Sequence, residues 1–328
     1  MMDVMLKVKN LSIGIRQGEK IFNPVEDISF DINAGEILGI VGESGSGKTL
    51  TALSIPGLLS ANIAITGGSI LFSGGSVSRE LLSAPEKEME AIRGKEISMI
   101  FQEPYSSLNP LLKIGDQITE AMEIHGEKDK ALVKRKTIEL MEKLSFTDPE
   151  KLFKTYPHRL SGGMCQRVML ALAIICGPKL LIADEPTTAL DRNTQSQILS
   201  LLKKINRDLG TSILFISHDL EVIKSICGRV LVLYSGRILE EGNTDEVFSS
   251  PAHEYTRGLL NSIPDKTKKG KDLAAIPGKI PSLEEGRPHG CPFHPRCAKA
   301  VPQCKEDFPA ARAVSATHTT HCVLGGGE

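Results

Sequence analysis

Eight consecutive residues, Gly42-Glu43-Ser44-Gly45-Ser46-Gly47-Lys48-Thr49, have the types and spacing to hold a polyphosphate. They follow the apolar run Ile37-Leu38-Gly39-Ile40-Val41 and lead into Leu50-Thr51-Ala52-Leu53, so the stretch reads as strand, glycine-rich loop, helix. Glycines let successive backbone N–H groups turn toward one anion, and the helix N-terminus adds its dipole. Lys48 is placed to reach the β- and γ-phosphates, and the Thr49 hydroxyl to ligate Mg²⁺. A phosphate loop needs partners. Asp184 ends the apolar run Leu180-Leu181-Ile182-Ala183 and suits Mg²⁺, and the adjacent Glu185 suits a general base. His218 and Gln102 each end a strand-like run, where doubly wound sheets bind ligands. Gln102 is a candidate for Mg²⁺ or its water. Ser161-Gly162-Gly163 precedes an apolar helix and forms a second anion site at a helix N-terminus. One nucleotide rarely needs two such helix ends, but two chains facing each other head to tail would use both.

The elements that must position these residues alternate along the chain. Residues 4–33 are β-rich, the run 68–72 is strand-like, and Glu96 to Phe101 reads as a strand. Residues 106–110 read as a turn, and 114–145 carry helical periodicity, so 105–160 is expected to be a helical insertion in an α/β core. The core returns with a helix over 163–176, a strand at 180–183, a helix over 198–209 closed by Gly210, a strand at 212–216 and a hairpin around Ser235-Gly236. Strands alternating with helices predict a mainly parallel sheet, with the early β segments in a more antiparallel layer. Residues 264–290, rich in Lys, Pro and Gly, read as a linker. There is no internal repeat.

Composition narrows the function. A formal net charge of −1 and aromatics at 4% argue against a nucleic-acid platform. No run reaches the ~18 apolar residues of a membrane span. Asp3, Lys7 and Lys9 in the first ten residues disfavour a signal peptide, so an intracellular protein is expected. Of seven cysteines, Cys165, Cys176 and Cys227 are scattered and read as small buried hydrophobes. Cys291, Cys297, Cys304 and Cys322 cluster near the C-terminus in a C-x5-C-x6-C-x17-C pattern, which in an intracellular protein suggests metal rather than disulfides. Four thiolates suit an iron–sulfur cluster or zinc, and the lack of a C-x-x-C knuckle favours the cluster. His289, His294, His318 and His321 lie close enough in sequence for mixed ligation.

Together the loop 42–49, Gln102, Leu160-Ser161-Gly162-Gly163-Met164, Asp184-Glu185, Ala189-Leu190-Asp191 and His218 resemble the ABC-transporter ATPase family over about residues 4–260. The resemblance implies an ABC-type nucleotide-binding domain: a RecA-like core, an antiparallel β-subdomain and a helical subdomain. It implies ATP held between one subunit's phosphate loop and the other's signature, with Ser161, Gly162 and Gly163 as that signature, Asp191 in the D-loop and His218 as switch. Tyr105 to Pro110, Tyr156 to Leu160, His253 to Leu260 and Ile276-Pro277-Gly278 are similar to the oligopeptide/dipeptide/nickel importers, and Met164 with Thr187 to Asp191 to their first ("D") ATPase. The division implied is an ABC ATPase domain over 1–260, with its helical subdomain at about 105–160, and a C-terminal extension over 261–328 carrying the four cysteines.

The function implied is ATP hydrolysis energising oligopeptide or dipeptide import, or import of nickel or another metal chelate. The implied partners are a non-identical second ATPase, two transmembrane permease subunits and an extracytoplasmic solute-binding protein, with the chain peripheral on the cytoplasmic face of the cell (inner) membrane. The implied cofactors are ATP, Mg²⁺ and a [4Fe–4S] cluster, with zinc as the alternative. A surface near Gln102 to Pro110 is expected to couple to the permease. A soluble ABC ATPase acting on nucleic acid or ribosomes is the competing class, disfavoured by the short helical insert and single ATPase unit. One departure stands out: Ile15 occupies the slot where the family usually stacks an aromatic residue on adenine, with Phe22 further along.

Overall fold

The computed structural model describes residues 3–74, 78–188, 190–263, 275–282 and 285–325. The chain opens with two long strands, β1 (Val4–Gln17) and β2 (Lys20–Asn33), then β3 (Ile37–Val41) and α1 (Lys48–Ser54). Next come β4 (Ile63–Phe72), β5 (Arg79–Glu80), α2 (Glu86–Ile92) and β6 (Ile97–Ile100). Four helices follow: α3 (Pro104–Ser107), α4 (Ile114–Ile124), α5 (Lys130–Lys143) and α6 (Pro149–Phe153). The α/β alternation resumes with α7 (Gly162–Ile174), β7 (Leu180–Asp184), α8 (Arg192–Leu209), β8 (Ser212–Ser217), α9 (Leu220–Ile226), β9 (Arg229–Tyr234) and β10 (Arg237–Asn243). The chain closes with α10 (Thr244–Ser249), α11 (Glu254–Asn261), β11 (Arg312–Ala313) and β12 (His318–Thr320). No helix among the described residues is long and apolar enough to cross a membrane.

The chain divides into two compact units. One comprises Met1–Met5, Ile32–Glu36 and Phe72–Leu214. In it β6 and β7 run parallel, from Ile97 opposite Leu180 to Ile100 opposite Ala183. Helices α4, α5 and α6 pack on one another, and α4 also packs on α7. The apolar positions recurring at three and four residues supply that core: Ile114, Ile118 and Met122 from α4, and Val133 and Met141 from α5, are all buried.

The other unit comprises Leu6–Asp31, Ile37–Leu71 and Phe215–Glu328. Its β2, β1 and β4 are neighbours in that order. β3 runs parallel to β9, from Leu38 opposite Arg229 to Val41 opposite Val232. β10 turns back antiparallel to β9 through Ser235 and Gly236. β12 adds to β10, with Glu240 opposite Thr320, and β11 pairs with β12. The chain around the cysteines is therefore bonded into the sheet.

Helices α8 and α3 differ from the sequence reading, and β4 begins at Ile63, five residues before the strand-like run 68–72. Helix α8 begins at Arg192, six residues before the apolar position Ile198, because the Asp191 carboxylate accepts the Asn193 and Thr194 N–H groups and starts the helix on a polar turn. Residues 104–107 form the short helix α3 rather than the start of a turn. Of the 264–290 linker, 264–274 and 283–284 lie outside the described residues, as does Ala189.

A buried carboxylate ties the C-terminal segment down. Glu240 is fully buried and accepts from the Ala252 N–H at 2.6 Å, the His253 N–H at 3.1 Å and His318 Nε2 at 2.7 Å. Replacing Glu240 with Ala strands three donors, those of His253 and His318 buried and that of Ala252 half-buried. The expected cost is about 3 kcal/mol, read as a lowered melting temperature of the full chain, while Glu240→Gln costs less because it keeps one acceptor oxygen. An Ala variant as stable as the parent would remove the anchoring role.

Candidate functional site

The phosphate-type loop leaves the C-terminal end of β3 against β9. A Cβ at Gly42 would lie 2.1 Å from the Leu233 carbonyl oxygen, so only glycine lets the chain turn there. Gly47, at φ 100°, sits in the left-handed region just before α1. Lys48 is buried, and its ammonium donates back to the Gly42 oxygen at 2.8 Å and the Glu43 oxygen at 2.9 Å. Ser44, Gly45 and Thr49 are exposed, and Ser46 is buried. The β9–β10 turn supports the loop: the Gly236 N–H donates to the Ser46 oxygen at 2.9 Å, and the Glu26 N–H donates to the Gly236 oxygen at 3.0 Å.

Glu43 is held twice. Its N–H donates to the Tyr255 hydroxyl at 2.9 Å, and its carboxylate accepts from Arg296 Nη1 at 3.0 and 3.2 Å. Neither Tyr255 nor Arg296 was singled out as a site residue in the sequence, because both lie more than 200 positions from the loop. His218, in the same unit, is exposed between β8 and α9, where Asp219 caps the helix through the Glu221 and Val222 N–H groups.

In the other unit, the parallel register of β6 and β7 sends Gln102 and Asp184 out at the same strand edge. Gln102 is exposed and Asp184 buried. Glu185 adopts φ 47°, a left-handed conformation costing a non-glycine residue roughly 1–2 kcal/mol. Its carboxylate accepts from the Thr188 hydroxyl at 2.7 Å. This strain, at the residue proposed from sequence as the base, is held by the adjoining turn, in which the Thr188 N–H donates to the Glu185 oxygen.

Ser161 caps α7, its hydroxyl accepting from the Met164 N–H at 3.4 Å. Gly163 packs on α8: a Cβ there would meet the Thr194 methyl at 2.6 Å. Thr194 in turn donates from its hydroxyl to Asp191 at 2.6 Å. That bond, with further N–H bonds from Thr194 and Asn193, holds the Asp191 carboxyl below its ordinary pKa. Thr194 thus joins the Ser161-Gly162-Gly163 segment to Asp191, a link that the sequence alone does not signal.

The four C-terminal cysteines line one pocket together with His253 and His321. Burial pushes the Cys291 thiol up to about 12 and raises those of Cys297 and Cys322. His253 is buried, and burial lowers its pKa to about 3. Its Nδ1 accepts from the Tyr255 N–H at 3.0 Å, so the ring proton sits on Nε2, 3.7 Å from the Cys291 sulfur. Among the described residues no group of three or more His, Cys, Asp or Glu side chains is arranged to hold a metal ion. The other nearby histidines contact backbone or Glu240: His289 the Lys305 oxygen, His294 the Cys291 oxygen, His321 the Pro309 oxygen, and His318 the Glu240 carboxylate.

A glycine-rich loop at a strand edge, a strand-end Asp-Glu pair and a glycine-started helix tied to a later acid are the parts of an ATP-binding cassette. The comparisons agree. Residues 25–188 match the ABC transporter family, and residues 239–304 match the C-terminal region of oligopeptide/dipeptide transporters. The chain is 46% identical over 307 residues to the oligopeptide transport ATP-binding protein OppD of Escherichia coli, covering 94% of this chain and 89% of that protein. It is 42% identical over 324 residues to the dipeptide transport ATP-binding protein DppD of Bacillus subtilis, covering 98% and 95%. The dimeric post-hydrolysis structure of the ATP-binding cassette MJ0796 bound to ADP and Pi matches with a TM-score of 0.65 at 28% identity, over 73% of this chain and 99% of that one. The chain belongs to the ABC transporter ATPases, in the oligopeptide/dipeptide group.

The Gly163–Thr194 contact yields a test. Gly163→Ala drives a methyl into Thr194, whose hydroxyl is fixed on Asp191. Overpacking of this kind costs 1–3 kcal/mol, about five- to hundredfold in an equilibrium. The ATPase rate of the assembled transporter is expected to fall within that range, and Thr194→Ser, which removes the methyl and keeps the hydroxyl, is expected to recover most of it. Failure of the serine to rescue would mean that Gly163 acts without Thr194.

Proposed function

We propose that the chain is the ATP-hydrolysing subunit that energises uptake of oligopeptides and dipeptides through a membrane ABC importer. The observation that carries this reading is the pairing, in one chain, of an ATP cassette with the C-terminal region of oligopeptide/dipeptide transporters. The chain then sits peripherally on the cytoplasmic face of the membrane, with a non-identical second ATPase, two permease subunits and an extracytoplasmic solute-binding protein as partners. The proposed division is a cassette over 1–260, with its helical subdomain at about 105–160, and an extension over 261–328.

At the ATP site the backbone N–H groups of residues 42–49 bind the phosphates, and Lys48 moves from the loop carbonyls to the more strongly accepting phosphate oxygens. Thr49, Gln102 and Asp184 supply the oxygen donors that suit Mg²⁺, a hard cation. Bound there, Mg²⁺ would neutralise charge on the phosphates. Glu185 takes the proton of the attacking water, its carboxylate oriented by Thr188. His218 contacts the γ-phosphate. Ser161, Gly162 and Gly163 complete the partner ATPase's site, with Asp191 in the D-loop beside them. Replacing Glu185 with Gln is expected to lower hydrolysis by the assembled complex at least about 100-fold while leaving ATP binding intact. Unchanged turnover would remove Glu185 as the base.

The cysteine segment supports a [4Fe–4S] cluster over zinc because its C-x5-C-x6-C-x17-C pattern lacks the C-x-x-C knuckle of structural zinc sites. The four thiols line one pocket. The His253 Nε2–H aimed at the Cys291 sulfur would stabilise a thiolate ligand, as outer-shell donors do. Cys291, Cys297, Cys304 and Cys322 would hold the cluster, which would offset the burial that raises the thiol pKa values of Cys291, Cys297 and Cys322. Protein purified without oxygen is expected to be brown, with about four iron and four sulfide per chain. A colourless protein with one zinc per chain would overturn the assignment.

A further inference from the structure

The C-terminal extension is tied to the phosphate loop in two ways, one direct and one through the β9–β10 turn, both within one compact unit. The first is Arg296, in the turn His294–Arg296 between Cys291 and Cys297. Its side chain is 6% exposed. Nη1 bonds both oxygens of Glu43 and the Tyr234 hydroxyl at 3.3 Å, and Nε donates to the Pro277 oxygen at 2.8 Å. Burial opposes the charge, but the bonds to Tyr234 and Glu43 outweigh it and raise the pKa of Arg296. Beneath the pair, the rings of Tyr234, Tyr255 and Phe293 pack with centroids 4.7 to 5.4 Å apart.

The second is Arg287. It donates to the Ser235 oxygen at 2.6 Å and the Asn23 oxygen at 2.9 Å, and pairs with Glu26. Burial lowers its pKa to about 10. It thereby holds the turn whose Gly236 N–H supports Ser46. The loop is gripped at Glu43 directly and at Ser46 through the turn.

Glu43 places a carboxylate in a loop whose ligand carries several negative charges. We propose that Arg296 is a positioning residue of the ATP site: it draws the Glu43 carboxylate into an ion pair and fixes the first half of the loop, so the C-terminal extension sets the affinity for ATP. Without Arg296 the carboxylate opposes the phosphates, and the loop loses one of its two ties at Glu43. This rests on the loop being the ATP site, so the test carries a control for that reading.

Binding of trinitrophenyl-ATP and MgATP is measured on the full-length chain, and hydrolysis on the assembled transporter. Lys48→Ala is expected to abolish tight binding; if it does not, the loop reading fails. With that control in place, Arg296→Ala is expected to raise the dissociation constant and the KM for MgATP about tenfold, with kcat changed by less than about twofold. Arg296→Lys, which keeps the charge but not the fork, falls between. Adding Glu43→Gln to Arg296→Ala removes the exposed carboxylate and restores most of the affinity. Iron content and melting temperature are read on every variant. If Arg296→Ala is not soluble, the comparison of Arg296→Lys with Arg296→Lys/Glu43→Gln reads the same coupling. Unchanged nucleotide affinity in the Arg296 variants, or no recovery on adding Glu43→Gln, overturns the proposal.

Discussion

The backbone of Gly42 lies so close to the Leu233 carbonyl that a Cβ would come within 2.1 Å of its oxygen. The loop after β3 can take its path only because that Cβ is missing. The surrounding structure is built on this contact. The parallel register of β3 with β9 brings the turn after Tyr234 alongside the loop, where Gly236 donates to Ser46. The same register brings Tyr234 itself, and with it Tyr255 and Phe293, beneath Glu43. A phosphate loop is usually described by the residues that face the anion. Here its conformation is equally a property of β9, of the β9–β10 turn and of the C-terminal segment packed against them.

Much of this was legible in the sequence, for physical reasons. The loop is contiguous, so its glycines, lysine and threonine appear in order. The strands β3, β6, β7 and β8 are short apolar runs bounded by Gly and polar residues, and they fold as strands at the expected places. Asp184 and Gln102 could be placed at strand ends because apolar runs stop there. Long-range partners carried no such signal. The Arg296–Glu43 pair spans 253 residues and the Tyr255–Glu43 bond 212, and neither residue pattern is periodic. The start of α8 was hidden for a different reason. Its first turn is polar, and only the cap geometry of Asp191 reveals a helix that apolar spacing dates from Ile198.

The signature region shows the same limit. Ser161-Gly162-Gly163 announces a helix start and an anion site, and the structure provides the cap at Ser161. Why the third residue lacks a side chain is not visible in the sequence, since a glycine at a helix start has several uses. The answer lies on α8, where the Thr194 methyl occupies the space a Cβ would need. Because the Thr194 hydroxyl bonds Asp191, the methyl cannot rotate away without breaking that bond. Gly163 and Asp191 are therefore coupled by one side chain serving both, through packing on one side and a hydrogen bond on the other.

The guanidinium at position 296 has a geometric rationale that a simple charge would not satisfy. It must reach the Glu43 carboxylate, the Tyr234 hydroxyl and the Pro277 carbonyl at once, and these lie in different directions around it. A planar fork with fixed N–H vectors meets all three, and its face lies 5.7 and 5.9 Å from the Tyr234 and Phe293 ring centroids. A lysine ammonium could neutralise Glu43 but would leave an acceptor unmet in a buried setting, at a cost of about 1–3 kcal/mol. The segment that carries Arg296 also carries Cys291 and Cys297, and Phe293 between them closes the aromatic cluster under the loop. The short stretch 291–297 thus contributes both to the cysteine pocket and, through Arg296, to the hold on Glu43. A shift of that stretch would be felt at Glu43, because the Arg296 ion pair joins the two directly.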